Sequence, residues 1–343
     1  MTSERKYQIR HSLYLLLTAV IWGVAFVAQS VGMEHVGPFT FNAARFFLGT
    51  LTLLPFILIR SGRGKKRIAE YRFSGREESS SAEHRFSGRE DSSGAERQKR
   101  QYRGREESSG AGYPSGGRED APGRGLLLKA GLLCGTALAV ASNLQQIGIK
   151  YTTVGKAGFL TAMYIVLVPI LGIFVGRKAG GKVWLAVLTA VAGLYFLCLA
   201  GGEMQFQKGD LYCISCAFFF SVQIMLVDRF APGVDGVQLA AFQFLVSGTV
   251  SAVCMLLTEE PSFSQLRDAA LPVLYAGVLS CGTAYTLQVI GQKGMNPTVA
   301  SLIMSLESTV SVIAGFLILH QTMTRGELTG CVLMACAIVL AQI

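Results

Sequence analysis

The chain has 343 residues and a formal net charge of +9, and 51% of its residues are hydrophobic. Only 15% are charged, against about 25% in an average soluble domain, and residues 60–124 hold 16 of the 31 Lys and Arg and 11 of the 22 Asp and Glu. The rest of the chain has too few charges to cover a soluble surface, which favours a protein whose exterior is solvated by lipid. Because the basic surplus lies in that segment and at the ends of apolar runs, it does not indicate nucleic-acid binding.

Ten apolar segments of 17–24 residues follow one another along the chain. Each is long enough to cross a hydrocarbon core of about 30 Å. Helices are expected, because lipid offers no partner to backbone polar groups. The sequence therefore predicts an all-α membrane protein with ten transmembrane helices. The predicted spans lie near residues 13–31, 39–59, 126–149, 156–175, 183–200, 209–227, 237–257, 269–290, 297–319 and 326–342.

Residues 61–125, between the second and third spans, form a low-complexity segment. Three imperfect copies of one phrase fill it: FSGREESSSAE (73–83), FSGREDSSGAE (86–96) and YRGREESSGAG (102–112). Such a segment has too few apolar residues to offset the entropy of ordering, so it is predicted to be a disordered insertion.

A second repeat relates the two halves of the chain. The phrase LQQIGIK (144–150) returns as LQVIGQK (287–293), an offset of 143, and the same offset matches Gly172 with Gly315. Earlier segments match at an offset of 198, as Phe46 with Phe244. The difference of 55 corresponds to the insertion.

Each half then contains five spans, and an odd number of spans inverts the second half relative to the first. The sequence predicts two inverted five-helix repeats, an architecture of secondary transporters. The first repeat comprises residues 1–60 and 126–200, and the second comprises 209–343.

The basic residues predict the orientation. With the N-terminus inside, the helix-adjacent cluster RSGRGKKR (60–67) and most other basic span ends lie on the inner side. The positive-inside rule therefore predicts that both termini and the insertion are cytoplasmic.

Several motifs carry a family resemblance. They are Ile21-Trp22-Gly23, the aromatic-rich Phe41…Arg45-Phe46, KAGFLTAMYIVLVPILG (156–172) and ASLIMSLES (300–308). With them the chain resembles a bacterial EamA-type member of the drug/metabolite transporter superfamily, over its whole length except the insertion. The resemblance implies transport of small metabolites, often export, across the bacterial plasma (inner) membrane without a cofactor. The sequence departs from the family pattern at His320-Gln321, where Gly-Glu is common, and at Ser308, where Pro is common.

Two ionisable residues stand out inside the predicted spans, Glu307 near the middle of the ninth and Arg45 about six residues into the second. Such groups cost about 2.5–3.5 kcal/mol on insertion scales and are therefore functional candidates. Their partners at the repeat offsets are Tyr164 and Gln243, which are also polar. We expect Glu307 to contact a substrate amine or a coupling proton, and Arg45 to contact a substrate carboxylate or phosphate.

Helical spacing adds secondary candidates for a shared cavity with aromatic walls and a few polar tips. Asn42 shares a face with Arg45, and Tyr285 shares one with Gln288. The remaining candidates are Gln145, Thr161 on the same face as Tyr164, and a stripe of Trp22, Phe26 and Gln29. Cys213 and Cys216 form a C-x-x-C pair within an apolar helix, with no second ligand pair, so we expect them to pack rather than to bind a metal.

Two other functions fit parts of the sequence. A membrane sensor or scaffold could dock partners through the basic insertion, but docking does not require inverted halves. An intramembrane enzyme would need facing acid and base groups or metal ligands. All four His fall at span ends or in loops, and Glu307 is the only carboxylate clearly in mid-span, so an enzyme is disfavoured.

Overall fold

The computed structural model describes residues 3–59, 122–152, 154–177, 180–198, 207–318 and 325–342. It forms two compact units, one of residues 1–55 and 123–343 and the other of residues 56–122. Only residues 56–59 and 122 of the second unit are described, and all that follows concerns the first. The predicted disordered insertion lies outside the described residues except for 122–125, which begin a helix.

The described residues are almost entirely helical and contain no strand, as the sequence predicts. In chain order the helices are α1 (Ser3–Gly32), α2 (Pro38–Ile59), α3 (Pro122–Tyr151), α4 (Val154–Ala162), α5 (Tyr164–Phe174), α6 (Gly181–Cys198), α7 (Lys208–Phe230), α8 (Gly236–Thr258), α9 (Phe263–Asp268), α10 (Ala270–Leu274), α11 (Thr286–Gln292), α12 (Pro297–Met304), α13 (Leu306–Ile318) and α14 (Arg325–Gln342), with a 3-10 turn at Ala231–Gly233 and a π-helix at Tyr275–Tyr285 between α10 and α11.

Eight helical stretches among the described residues are long and apolar enough to cross a membrane. Two shorter apolar helices, Gly181–Phe196 and Leu328–Leu340, lie where the fifth and tenth spans are predicted. Large apolar side chains remain on the outside of the bundle, such as Phe174 at 83% exposure and Leu257 at 79%. Exposed apolar surface of this kind suits contact with lipid.

Helix boundaries repeat at the two sequence offsets. Pro38 and Gly236 begin α2 and α8 and lie 198 positions apart, and Val154 and Pro297 begin α4 and α12 and lie 143 apart. Two of these starts carry side-chain caps: Asp235 accepts from the amide of Val237 at 3.0 Å, and Asn296 accepts from Thr298 at 2.9 Å. We call residues 3–198 the first half and residues 207–342 the second half.

One cap crosses between the halves. The Glu259 carboxylate, just after α8, accepts from the backbone amides of Phe39 at 2.9 Å and Thr40 at 2.8 Å, at the start of α2. It also accepts from the Thr40 hydroxyl at 2.6 Å. A carboxylate at a helix N-terminus accepts hydrogen bonds from the first backbone amides and interacts favourably with the helix dipole. This contact therefore holds α2 against the end of α8.

Two helices break in the middle at places that differ by one residue in the repeat. The break between α4 and α5 falls at Met163, and the break between α12 and α13 falls at Ser305. In the second case the hydroxyls of Ser301 and Ser305 donate to the carbonyls of Thr298 and Leu302 and so compete with the backbone hydrogen-bond ladder. Tyr164 and Glu307 therefore lie just after an interruption of their helices.

The glycines of the repeated phrase mark two close crossings between the halves. A Cβ at Gly148 in α3 would lie 3.2 Å from the Gly209 carbonyl oxygen of α7. A Cβ at Gly291 in α11 would lie 3.3 Å from the His11 carbonyl oxygen of α1. His11 and Gly209 are 198 positions apart. The first predicted span of each half therefore crosses the third predicted span of the other half at equivalent points. Only glycine allows the backbones to approach this closely.

Polar contacts reinforce both crossings. At the α1–α11 crossing the His11 imidazole Nδ1 lies 3.1 Å from the Gly291 carbonyl oxygen, and the Tyr7 hydroxyl donates to the Lys293 carbonyl at 2.7 Å. At the α3–α7 crossing the Thr152 hydroxyl donates to Asp210 at 2.6 Å. The two crossings are thus equivalent in backbone geometry but differ in side-chain chemistry.

We expect Gly148→Leu and Gly291→Leu each to lower the free energy of unfolding, by about 1–3 kcal/mol, because each side chain would overpack a helix crossing. Thermal unfolding of the purified variants in detergent measures the effect. Gly125→Leu is the control, since nothing lies within 4 Å of its Cβ position. Equal melting temperatures for all three variants would contradict the close approach of the helices at Gly148 and Gly291.

Candidate functional site

A cavity of ≈ 450 Å³, open solvent at its mouth included, lies inside the helix bundle. Both halves contribute to its wall. The lining residues are Trp22, Phe26, Gln29, Arg45, Gln145, Thr161, Tyr164, Phe220, Ile224, Ser280, Tyr285, Gln288 and Glu307.

Much of the lining consists of residues that are equivalent in the two halves. Two pairs follow the offset of 198 and two follow the offset of 143. The pairs are Trp22 with Phe220, Phe26 with Ile224, Gln145 with Gln288, and Tyr164 with Glu307.

Glu307 and Tyr164 meet directly across this cavity. The Tyr164 hydroxyl donates to Glu307 Oε1 at 3.0 Å, and the two side chains are only 3% and 5% exposed. Tyr164 is the first residue of α5 and Glu307 the second of α13, so both follow the helix breaks. No basic side chain of the described residues forms an ion pair with Glu307. The buried carboxyl is therefore held by a neutral donor.

Arg45 is the other buried ionisable group of the cavity. It is 2% exposed, so it does not extend to the membrane surface. Its Nη1 donates to Gln29 Oε1 at 3.1 Å, and its guanidinium lies 4.9 Å from the centre of the Phe46 ring. Its Nε and Nη2 atoms have no hydrogen-bond partner among the described residues. An arginine with two free donors facing a cavity is suited to an oxygen-bearing anion.

The other predicted lining residues include one more free donor and one free acceptor. The Trp22 indole lies 4.6 Å from the Tyr285 ring, and its Nε1 has no partner in the described part of the chain. Gln288 donates to Gln223 at 3.2 Å, and its Oε1 is unpaired. Gln145 Nε2 lies 3.5 Å from the Thr161 hydroxyl.

Two predicted site residues do not line the cavity. Asn42 donates to Asn143 Oδ1 at 2.8 Å and to the Ser142 carbonyl at 3.0 Å, and it thereby links α2 to α3. Gln243 accepts from Gln223 at 3.3 Å. Both are fully buried. They lie behind the cavity wall, because packing against neighbouring helices turns those faces away from the cavity.

Three lining residues were absent from the predicted set. Phe220 and Ile224 could have been found, because they are the offset-198 partners of Trp22 and Phe26. Ser280 gave no such signal, since its offset-143 partner is Ala137, which does not line the cavity.

Cys213 and Cys216 are packed in the protein interior. Both lie fully buried in α7, and the Cys216 thiol donates to the Cys213 carbonyl at 3.0 Å. Within the described ranges, no group of three or more His, Cys, Asp or Glu residues could hold a metal ion. His320 and Gln321, where the sequence departs from the family pattern, lie outside the described residues.

Comparisons with known proteins agree with one another. The model of the EamA-like transporter family matches residues 10–73 and 207–342. The chain is 24% identical to an uncharacterized transporter of Archaeoglobus fulgidus over 332 residues, which covers 96% of this chain and 85% of the relative. A protein of known crystal structure superposes with a TM-score of 0.67 at 17% identity, covering 97% of this chain and 96% of its own. This last likeness concerns the fold.

We expect Tyr164→Phe to lower the free energy of unfolding by about 1–3 kcal/mol, because the Glu307 carboxyl would lose its buried hydrogen-bond donor. Chemical or thermal unfolding of the purified protein measures the loss. Tyr195→Phe is the control, because Tyr195 is 44% exposed. A Tyr164→Phe variant as stable as Tyr195→Phe would show that this hydrogen bond contributes nothing.

Proposed function

Because the chain belongs to the EamA-like transporter family, we propose that it is a secondary transporter that exports small metabolites across the bacterial plasma membrane by alternating access. The observation that carries the proposal is the cavity itself. It lies within a bundle of membrane-spanning length and contains a buried carboxyl and a buried guanidinium that do not neutralise each other. Such groups are costly in a membrane protein and are typical of substrate and ion pathways.

The proposed architecture is ten spans in two inverted five-helix repeats. Two positions related by a twofold axis can touch each other only where the axis passes between them. Tyr164 contacts Glu307, and the ring of Phe46 stacks on its equivalent Phe244 with centroids 6.1 Å apart. The equivalent helices α6 and α14 also pack together. These contacts support a twofold axis through the cavity.

The two crossings support the proposal of alternating access. In an inverted repeat, the α3–α7 crossing at Gly148 and the α1–α11 crossing at Gly291 lie on opposite sides of the membrane. Rocking of the halves would open one crossing while the other stays closed, and the cavity would face each side in turn. With the predicted orientation, both termini and the α1–α11 crossing face the cytoplasm.

The cavity chemistry supports a substrate with an amine and an anionic group, such as an amino acid. Arg45 binds the anionic group through its free donors. Glu307 binds the amine or, when the substrate is absent, a coupling proton. The aromatic rings of Trp22, Phe26 and Tyr285 contact the apolar part of the substrate.

Reconstitution into proteoliposomes tests the proposal with a panel of labelled metabolites, with and without a pH gradient. We expect Glu307→Gln and Arg45→Ala each to reduce flux at least roughly tenfold, because each removes a charged contact inside the membrane. Matched controls are Glu260→Gln and Arg267→Ala, which change exposed residues outside the cavity and should keep wild-type flux.

The gradient separates the two roles of Glu307. If the wild type responds to the pH gradient and Glu307→Gln transports without that response, Glu307 carries the coupling proton. Wild-type flux in both Glu307→Gln and Arg45→Ala would contradict the proposed site.

A further inference from the structure

The eighth span differs from its equivalent in backbone geometry. Residues Tyr275–Tyr285 form a π-helix, whereas the equivalent residues 132–142 lie within the α-helix α3. π-helical turns are rare and are often found at functional sites. The two halves are therefore unlike at a place where the eighth span borders the cavity.

The π-helix brings a serine into the cavity wall. Ser280 and Tyr285 are one π-turn apart and both line the cavity. Ser280 is 2% exposed. Its equivalent in the first half, Ala137, has no hydroxyl and does not line the cavity.

The Ser280 hydroxyl has no hydrogen-bond partner in the described part of the chain. Some buried hydroxyls donate to a carbonyl one turn back, as Ser221 does to Ala217 at 2.7 Å and Thr286 to Gly282 at 2.8 Å, whereas the hydroxyls of Ser142 and Thr309 also have no partner. Ser280 makes no such bond to any described residue. Its Oγ is not among the fully enclosed atoms without a partner, so it remains accessible from the cavity that Ser280 lines and can bind a ligand there.

Ser280 is not the only residue of the cavity wall with an unpaired donor. Arg45 Nε and Nη2 and Trp22 Nε1 are also unpaired among the described residues. Tyr285 lies beside this group, because its ring contacts Trp22 and shares a face with Ser280. Several free donors in one cavity wall require a group that only accepts hydrogen bonds and offers more than one oxygen.

We propose that Ser280, Arg45 and Trp22 form an oxyanion subsite that holds the carboxylate or phosphate end of the substrate. Ser280 is then a specificity-determining residue that the second half alone supplies. The inference rests on the proposed function, and it gives the substrate one orientation, with its anionic end at α1, α2 and the π-helix and its other end at Glu307.

Trp22 itself can report occupancy of the subsite. The chain has two tryptophans, and the other, Trp184, lies in α6 outside the cavity. In a Trp184→Phe background, Trp22 emission therefore reports ligands at its indole. The probes are the proteinogenic amino acids against their amides, for carboxylate, and phosphoethanolamine against ethanolamine, for phosphate.

We expect at least one anionic probe to shift Trp22 emission saturably, while its neutral counterpart does not. Which pair responds identifies carboxylate or phosphate as the group bound. Ser280→Ala should raise the dissociation constant roughly tenfold, the loss of one hydrogen bond to a charged group, and Ser280→Thr should restore most of the affinity. Ser221→Ala, whose hydroxyl bonds only within its own helix, should bind like the parent.

The subsite is refuted if the neutral counterparts bind as well as the anions, if Ser280→Ala matches Ser221→Ala, or if no anionic probe shifts the emission of the folded protein. Flux measurements distinguish failure of the subsite from failure of the proposed transport function. Wild-type flux that depends on Glu307 and Arg45, together with an unaffected Ser280→Ala, overturns the subsite alone. Absence of any flux with the metabolite panel overturns the transporter itself.

Discussion

The hydrogen bond between Tyr164 and Glu307 is the contact around which the cavity is arranged. A carboxyl at this depth is tolerated only with a donor, and Tyr164 provides it at 3.0 Å. Both residues follow a helix break, and they occupy equivalent positions in the two halves. A contact between equivalents lies on the axis that relates them, so the same hydrogen bond satisfies a buried acid and locates the proposed axis. In the proposed inverted repeat, the two backbone crossings at Gly148 and Gly291 lie on opposite sides of the membrane.

Equivalent positions share a backbone but carry different chemistry. Tyr164 faces Glu307, Arg45 corresponds to Gln243, and Ser280 corresponds to Ala137. In the proposed transporter, two halves related by a twofold axis are suited to two states of similar energy, because each crossing resembles the other. We propose that the unequal side chains, Arg45 on one side and Glu307 on the other, let the substrate keep one orientation while the equivalent helices exchange roles.

The sequence repeat predicted a large part of this arrangement. The sequence predicted spans beginning near residues 39 and 237, and α2 and α8 begin at Pro38 and Gly236. The offset of 143 also identified Tyr164 and Glu307 as equivalent positions, although not that they are in contact. The repeat could not predict that Asn42 and Gln243 lie behind the cavity wall. Successive side chains on a helix with 3.6 residues per turn point about 100° apart. Only the packing of the helices decides which of these side chains face the cavity. The π-helix was also hidden, since a change of hydrogen-bond register leaves no mark in the hydrophobic pattern. Ser280 was missed for the same reason.

Distances across the two crossings test the central claim most directly. Arg10 and Lys293 lie beside the α1–α11 crossing, and their exposed equivalents Lys208 and Lys150 lie beside the α3–α7 crossing. Cysteines at each pair, in a chain whose eight native cysteines are replaced, can carry spin labels for pulsed electron paramagnetic resonance in lipid. Saturating substrate or a pH gradient should change both label-to-label distances. We expect the distance between positions 10 and 293 to shorten when the distance between positions 208 and 150 lengthens, and the reverse. Two distances that lengthen together, or that never change during transport, would contradict alternation between the crossings.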